Sequence, residues 1–310
     1  MASGSKKVIF AALTGNTLIA ITKFVAGGMT GSSAMISEGI HSLVDTGNQG
    51  LLLYGLRQAK KPADEKFPFG HGKEIYFWSF IVAILIFALG AGISIYEGIL
   101  HLFHPVPITD AFINYIVLGL AILFEGAAWF FALNEFSKAK GKWGYIEAVQ
   151  RGKDPTMFVV LFEDSAAILG LLIALAGILL GDLTGILYFD GIASILIGLI
   201  LGGTAVWLAY ETKGLLIGES ANKKVVEGIR AIVMNAGAVN HVNEILTMHM
   251  GPDYILVNIS VDFADDTVAD DIELAIDKLD REIKQQFANV KRVFIEAEKR
   301  QKKNRNPPLA

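Results

Sequence analysis

The chain contains no cysteine. Disulfide bonds and thiolate metal sites are therefore excluded, and any metal it holds meets nitrogen and oxygen donors only. Charge is scarce as well. Asp, Glu, Lys and Arg make up 19% of the 310 residues against 53% hydrophobic ones, at a mean hydropathy of +0.47. Soluble domains usually carry about 25% charged residues, so much of this chain faces something other than water. The formal net charge of -4 carries no information about partners, and no nucleic-acid partner is expected. The little charge there is concentrates after residue 215, which predicts a membrane part followed by a soluble one. The opening MASGSKK runs straight into an apolar stretch too long for a signal-peptide core and lacks a small-residue cleavage pattern, so it is read as leading into a first span.

Six segments are long and apolar enough to cross a hydrocarbon core of about 30 Å, which takes about 20 helical residues. They cover residues 8–27, 34–56, 75–100, 111–133, 157–180 and 186–209. An even count puts both termini on one side. One set of loops holds Lys6, Lys7, Arg57, Lys60, Lys61, Lys66, Lys73, Lys138, Lys140, Lys142, Arg151 and Lys153, while the loops 28–33, 101–110 and 181–185 hold neither lysine nor arginine. Because positive loops stay cytoplasmic, both termini are expected there, or on the equivalent face of an organelle membrane.

After Lys213 the pattern turns amphipathic and charged. Residues 222–235 and 268–287 have helical periodicity, and 242–250, 254–263 and 292–296 alternate like strands, the first two joined at Gly251-Pro252-Asp253. The expected order is αββαβ, a small sheet covered by two helices. The predicted domains are thus a six-helix α-helical membrane domain, 1–213, an α+β cytoplasmic domain, 214–300, and a polar, disordered tail, 301–310.

Chemistry concentrates in the second span, where Glu38, His41, Ser42, Asp45, Asn48 and Gln49 recur at spacings of three and four and so share one helical face. Charged groups in a bilayer cost several kcal/mol, face a bundle interior or an aqueous route, and mark ion or proton pathways. His41 and Asp45, four apart, offer an imidazole nitrogen and a carboxylate oxygen, donors that suit zinc. The fifth span adds Glu163 and Asp164. At 1.5 Å per residue Asp45 lies roughly 16 Å from one end of its span and Asp164 roughly 10 Å from the opposite end of its own, so one cation reaches both near mid-membrane.

Other polar residues admit blander readings. Ser42, Asn48 and Gln49 suit packing contacts between helices. Glu38, near a span end, is expected in a solvated vestibule. Lys23 either pairs internally with Glu125 or snorkels to the surface, and Asp190 is a further charge at membrane depth. Asp64 and His71 lie in the loop after the second span, where such residues are usually just solvated. His101 and His104 suit the membrane interface. His241, His249, Glu296 and Glu298 are scattered donors in the soluble part.

Together, GGMTGSSAMISEGIHSLVDTGNQ and the following KPADEKFPFGHGKE resemble the cation diffusion facilitator family of metal transporters. HSLVDTGNQ, RGKDPTMFVVLFEDSAAILG and LYFDGIASILIG look most like its zinc transporter nine-like branch, known in mitochondria and bacteria. The resemblance implies no enzyme but a homodimer in the lipid bilayer, with metallochaperone-like (ferredoxin-like) cytoplasmic domains, exporting Zn2+ or a related divalent cation against protons by alternating access. No cofactor beyond the transported metal is implied. The expected residence is a bacterial inner membrane, or a mitochondrial one if the source is eukaryotic.

Two departures from the family pattern bear on the metal. Zinc-selective members carry a histidine where this chain has Val160, so His41, Asp45 and Asp164 lack a nitrogen ligand that Glu163, or a water, replaces. More oxygen donors favour harder ions, which keeps manganese, iron or cobalt as the alternative substrate. In the loop, Asp64 and His71 match two family ligands but Phe67 takes a third, histidine, position, leaving a weak second site. Glu296 and Glu298 stand at the matching end of the last strand, where little or no metal is expected. A non-transporting metal-sensing receptor is the rival reading, and an intramembrane metal-dependent hydrolase is disfavoured because no HExxH-type motif is present.

Overall fold

The structure, a computed structural model, describes residues 3–107 and 111–300, with side chains from residue 16 onward apart from a few isolated positions. The tail expected to be disordered lies outside the described residues. Two compact units emerge. One takes the chain up to Gln58 together with Glu74–Lys213; the other takes Ala59–Lys73 together with the chain from Gly214 onward.

The first unit is helical. It contains α1 (Ser3–Thr30), α2 (Ser33–Ala59), α3 (Glu74–Leu85), α4 (Gly92–Phe103), α5 (Ala111–Lys140), α6 (Tyr145–Arg151), α7 (Pro155–Thr184) and α8 (Tyr188–Ile217), and α3 runs into α4 through a π-helical stretch, Ile86–Ala91. Local sequence sets the boundaries of α7. Asp154 accepts a hydrogen bond from the Thr156 amide, Pro155 opens the first turn, and Gly185 closes the helix at φ 70°, a left-handed conformation that glycine adopts without strain. The start of α2 is held from another helix: Asp190 of α8 accepts from Ser32 Oγ at 2.5 Å, Ser33 N at 2.6 Å and Ser33 Oγ at 2.8 Å.

Four helices, Glu74–Phe103, Phe112–Lys138, Phe158–Thr184 and Tyr188–Ile217, are long and apolar enough to cross a membrane. They present large apolar side chains outward, Phe103, Leu123, Phe131, Leu183 and Tyr210 among them, as a lipid-facing surface does. On α1 the exposed Leu18, Ile21, Val25 and Met29 recur at helical spacing, while Ala20, Lys23 and Ala26 are buried on the other side. α2 has the length of a span but spends its inner face on polar groups, which dilutes its hydropathy. Where α4 meets α8, glycines let the backbones close up: a Cβ at Gly98 would lie 2.6 Å from Ile195 Cγ1, and one at Gly198 2.6 Å from Ile95 Cγ1.

The second unit carries α9 (Lys223–Met234), β1 (Val239–Gly251), β2 (Tyr254–Phe263), α10 (Ala269–Gln286) and β3 (Val290–Ala297) in the αββαβ order that the periodicities predict. β2 is central, antiparallel to β1 (Thr247 opposite Val257) and parallel to β3 (Val257 opposite Val293). A parallel neighbour requires a crossover, and α10 supplies it. Ile229 and Val233 of α9 and Leu279 and Ile283 of α10 join Val257, Ile259 and Val261 in one apolar core. The loop 59–73 belongs to this unit: a Cβ at Gly72 would come within 3.3 Å of Gly251 Cα at the β1–β2 turn, and Lys73 Nζ reaches Leu216 O at 3.5 Å.

Within that loop Asp64 organises a tight turn. Its Oδ1 accepts from the amides of Lys66 at 3.0 Å and Phe67 at 2.7 Å, and its Oδ2 lies 2.9 Å from His71 Nε2, with the Phe67 and His71 rings 4.6 Å apart. The His71 hydrogen bond, followed by the backbone donors, holds the Asp64 carboxyl below its usual value. A lowered acid pKa stabilises the folded loop above the unfolded value and loses that contribution as pH falls through the folded one. The turn is therefore expected to persist through the ordinary carboxylate range on acidification and to loosen only below it. Backbone NMR of Lys66 and Phe67 during an acid titration checks this; loosening already near neutral pH would contradict it.

Candidate cation cavity

Helical periodicity turns the polar stripe of α2 inward, so that Glu38, His41, Ser42 and Asn48 are all buried. His41 is 1% exposed, and neither ring nitrogen has a hydrogen-bond partner. Its Nδ1 lies 3.4 Å from Asp45 Oδ1, itself buried and without a hydrogen bond. Such unmet polar atoms are costly in a low-dielectric interior, and they mark a place shaped for something else to fill.

A cavity of about 180 Å³ opens beside the stripe. Asp45, Ser42 and Gln49 of α2, Asp164 and Val160 of α7, Glu125 of α5 and Asn16 of α1 line it. Asp45 and Asp164 thus share one cavity. Glu163, buried at 3% exposure, takes the neighbouring face of α7: its Oε1 accepts from Asn48 Nδ2 at 2.5 Å, and its carboxyl contacts that of Asp45. Trp129 Nε1 donates to Ser165 Oγ at 2.8 Å, tying α5 to α7 next to Asp164. Among the described residues, no three His, Asp or Glu side chains yet stand close enough together to hold a metal ion.

Lys23 is the main electrostatic feature outside this set. At 0% exposure its ammonium lies 2.8 Å from Glu125 Oε1, 3.1 Å from Glu38 Oε2 and 2.8 Å from Ser42 Oγ. The internal pair with Glu125 is present and the snorkelling alternative is not. Glu38 corrects a second expectation: it is no solvated vestibule residue but is fully buried, because Lys23 and α7 cover it. His101 is likewise more than an interfacial group, with Nδ1 3.4 Å from Asp190 Oδ2. The sequence reading missed Asn16 and the cavity-facing role of Glu125; a lone charge in an apolar helix was the available signal for the latter.

Outside this cavity Asp64, His71, Glu296, Glu298 and His249 are engaged locally. Asp64 and His71 bond to each other, with the Phe67 ring tilted against that of His71 at the third position. Glu296 Oε1 accepts from Asn258 Nδ2 at 3.1 Å, and Glu298 Oε2 from Ser260 Oγ at 2.5 Å. His249 Nδ1 lies 3.4 Å from Gly251 O.

Apolar helices of spanning length with a carboxylate-lined cavity among them, followed by a small mixed sheet, define a helical membrane transporter domain. Residues 9–217 match the cation efflux transmembrane domain, and the chain belongs to that family, the cation diffusion facilitators, which are transporters and not enzymes. It is 36% identical over 263 residues to the mitochondrial proton-coupled zinc antiporter SLC30A9 of Xenopus laevis, covering 84% of this chain and 47% of the relative. Metal tolerance protein C4 of Arabidopsis thaliana is 31% identical over 84% of this chain and 57% of its own length. The manganese efflux system protein MneP of Bacillus subtilis is 27% identical over 94% of this chain and 95% of its own. The chain thus spans about half the length of the SLC30A9 relatives it matches.

Proposed function

We propose that the protein carries a divalent transition-metal cation, zinc foremost, across a membrane in exchange for protons, through a site of His41, Asp45, Asp164 and Glu163. The observation that carries this reading is the unmet buried atoms of His41 and Asp45 beside a cavity that Asp45 shares with Asp164. α1 and α2 complete six spans with the four apolar helices, giving a transport domain over 1–213 and a cytoplasmic one over 214–300. The positive loops put both termini in the cytoplasm of a bacterial cell, or on the equivalent side of a mitochondrial membrane. The resemblance extends to a homodimer.

Metal and protons compete for the same lone pairs, so loading expels protons and an inward proton gradient drives outward metal movement. The donor set holds one imidazole and three carboxylates, and Val160, though it lines the cavity, brings no donor atom. Such oxygen-rich sites suit manganese, iron or cobalt too; the manganese efflux name of the Bacillus relative supports that second reading of the substrate. Asp64 and His71 form a second, weaker site, in which a metal replaces their mutual hydrogen bond. A flux competition series in proteoliposomes under a set pH gradient tests substrate choice. Zinc is expected to compete best, with manganese and cobalt also carried; competition by none of these ions would refute the reading.

A further inference from the structure

Glu125 is the one charged residue between positions 111 and 133, in the middle of an apolar helix. Its carboxylate lines the same cavity as Asp45 and Asp164. One oxygen, Oε1, is fixed by Lys23 at 2.8 Å, while the other, Oε2, is buried and has no hydrogen-bond partner. An ion pair that only packs helices needs one carboxylate per ammonium, and Glu38, fully buried at 3.1 Å, already supplies it. The second carboxylate is surplus negative charge where such charge is costly. Two of the three Lys23 partners, Ser42 and Glu125, also line the cavity, so the ammonium sits directly behind the cavity wall.

We propose that Glu125 contacts the divalent cation in the cavity, with Lys23 gripping its other oxygen and aiming it. This deepens the transport reading and rests on it. A ligand carboxylate whose second oxygen is held by an outer hydrogen-bond partner is the usual construction of a metal site. The surplus charge then has its complement whenever the cavity is loaded, and α5 joins α2 and α7 in binding.

Equilibrium zinc binding to the purified full-length protein, together with its metal-free melting temperature, tests the role. Glu125→Gln keeps an acceptor for Lys23 and is expected to weaken zinc binding by about tenfold or more, with the metal-free melting temperature little changed. Glu38→Gln alters the same ion-pair cluster away from the cavity and is expected to bind zinc as the parent does. Unchanged affinity in Glu125→Gln, or an equal loss in Glu38→Gln, overturns the proposal. If Glu125→Gln does not fold, Glu125→Asp keeps the charge but withdraws it by one methylene; weaker zinc binding there supports the contact and unchanged binding overturns it. Asp45→Ala is measured alongside. Zinc binding retained in that variant overturns the parent site itself, whereas loss there with retention in Glu125→Gln overturns only the role of Glu125.

Discussion

Lys23→Met is expected to destabilise the membrane unit by about 3–5 kcal/mol, the usual cost of breaking a buried pair by removing one partner. The methionine fills much of the lysine's volume, so the loss is electrostatic and not a cavity effect. Without the ammonium, Glu38 and Glu125 are left as two carboxylates in the same buried cluster, and Ser42 loses the ammonium hydrogen bond. A large drop in melting temperature in detergent is the expected result. Recovery is equally diagnostic: Lys23→Met combined with Glu38→Gln and Glu125→Gln removes every charge of the cluster and is expected to regain most of the lost stability. A single variant that melts like the parent would show that the three side chains do not form a working ion pair.

Asp45→Ala is expected to reduce metal flux at least a hundredfold while leaving a folded protein. A cation bound by His41, Asp45 and Asp164 loses one of its few charged donors, and each lost ligand costs far more than an outer partner does. The fold is expected to survive because Asp45 anchors little: its Oδ1 has no hydrogen-bond partner, and its carboxyl adds negative charge beside Glu163. Removing it relieves that crowding, so the melting temperature is expected to hold or rise. Near-normal flux in a folded variant would remove Asp45 from the pathway. Loss of both flux and folding would assign it a structural role instead.

Periodicity made the helices and strands of the second unit legible almost to the residue. The strand 254–263 is found as expected, since alternation and the Gly-Pro-Asp turn mark both ends, while β1 begins three residues before its expected start, where bulges break the alternation. The stripe on α2 was legible for the same reason, spacing fixing which residues share a face. What the chain order hides is burial by distant segments. Glu38 reads as exposed from its place near a helix end, yet a Cβ at Gly170 would strike its Oε1, and Lys23 covers the other oxygen. The short α6 escaped notice because seven residues are too few to show a period, and nothing simple in the sequence announces the π-helical stretch at Ile86–Ala91. The cavity itself has no linear signature: its wall draws on α1, α2, α5 and α7, and only packing brings Asn16, Asp45, Glu125 and Asp164 together.

The most direct test of cation transport is zinc flux by the purified protein in proteoliposomes, followed with and without an imposed pH gradient. Saturable zinc movement, accelerated when protons flow the opposite way and accompanied by measurable proton counterflow, is the expected result. Zinc flux indifferent to the pH gradient would contradict proton exchange, and no flux of any divalent metal from a folded protein would contradict the transport function itself.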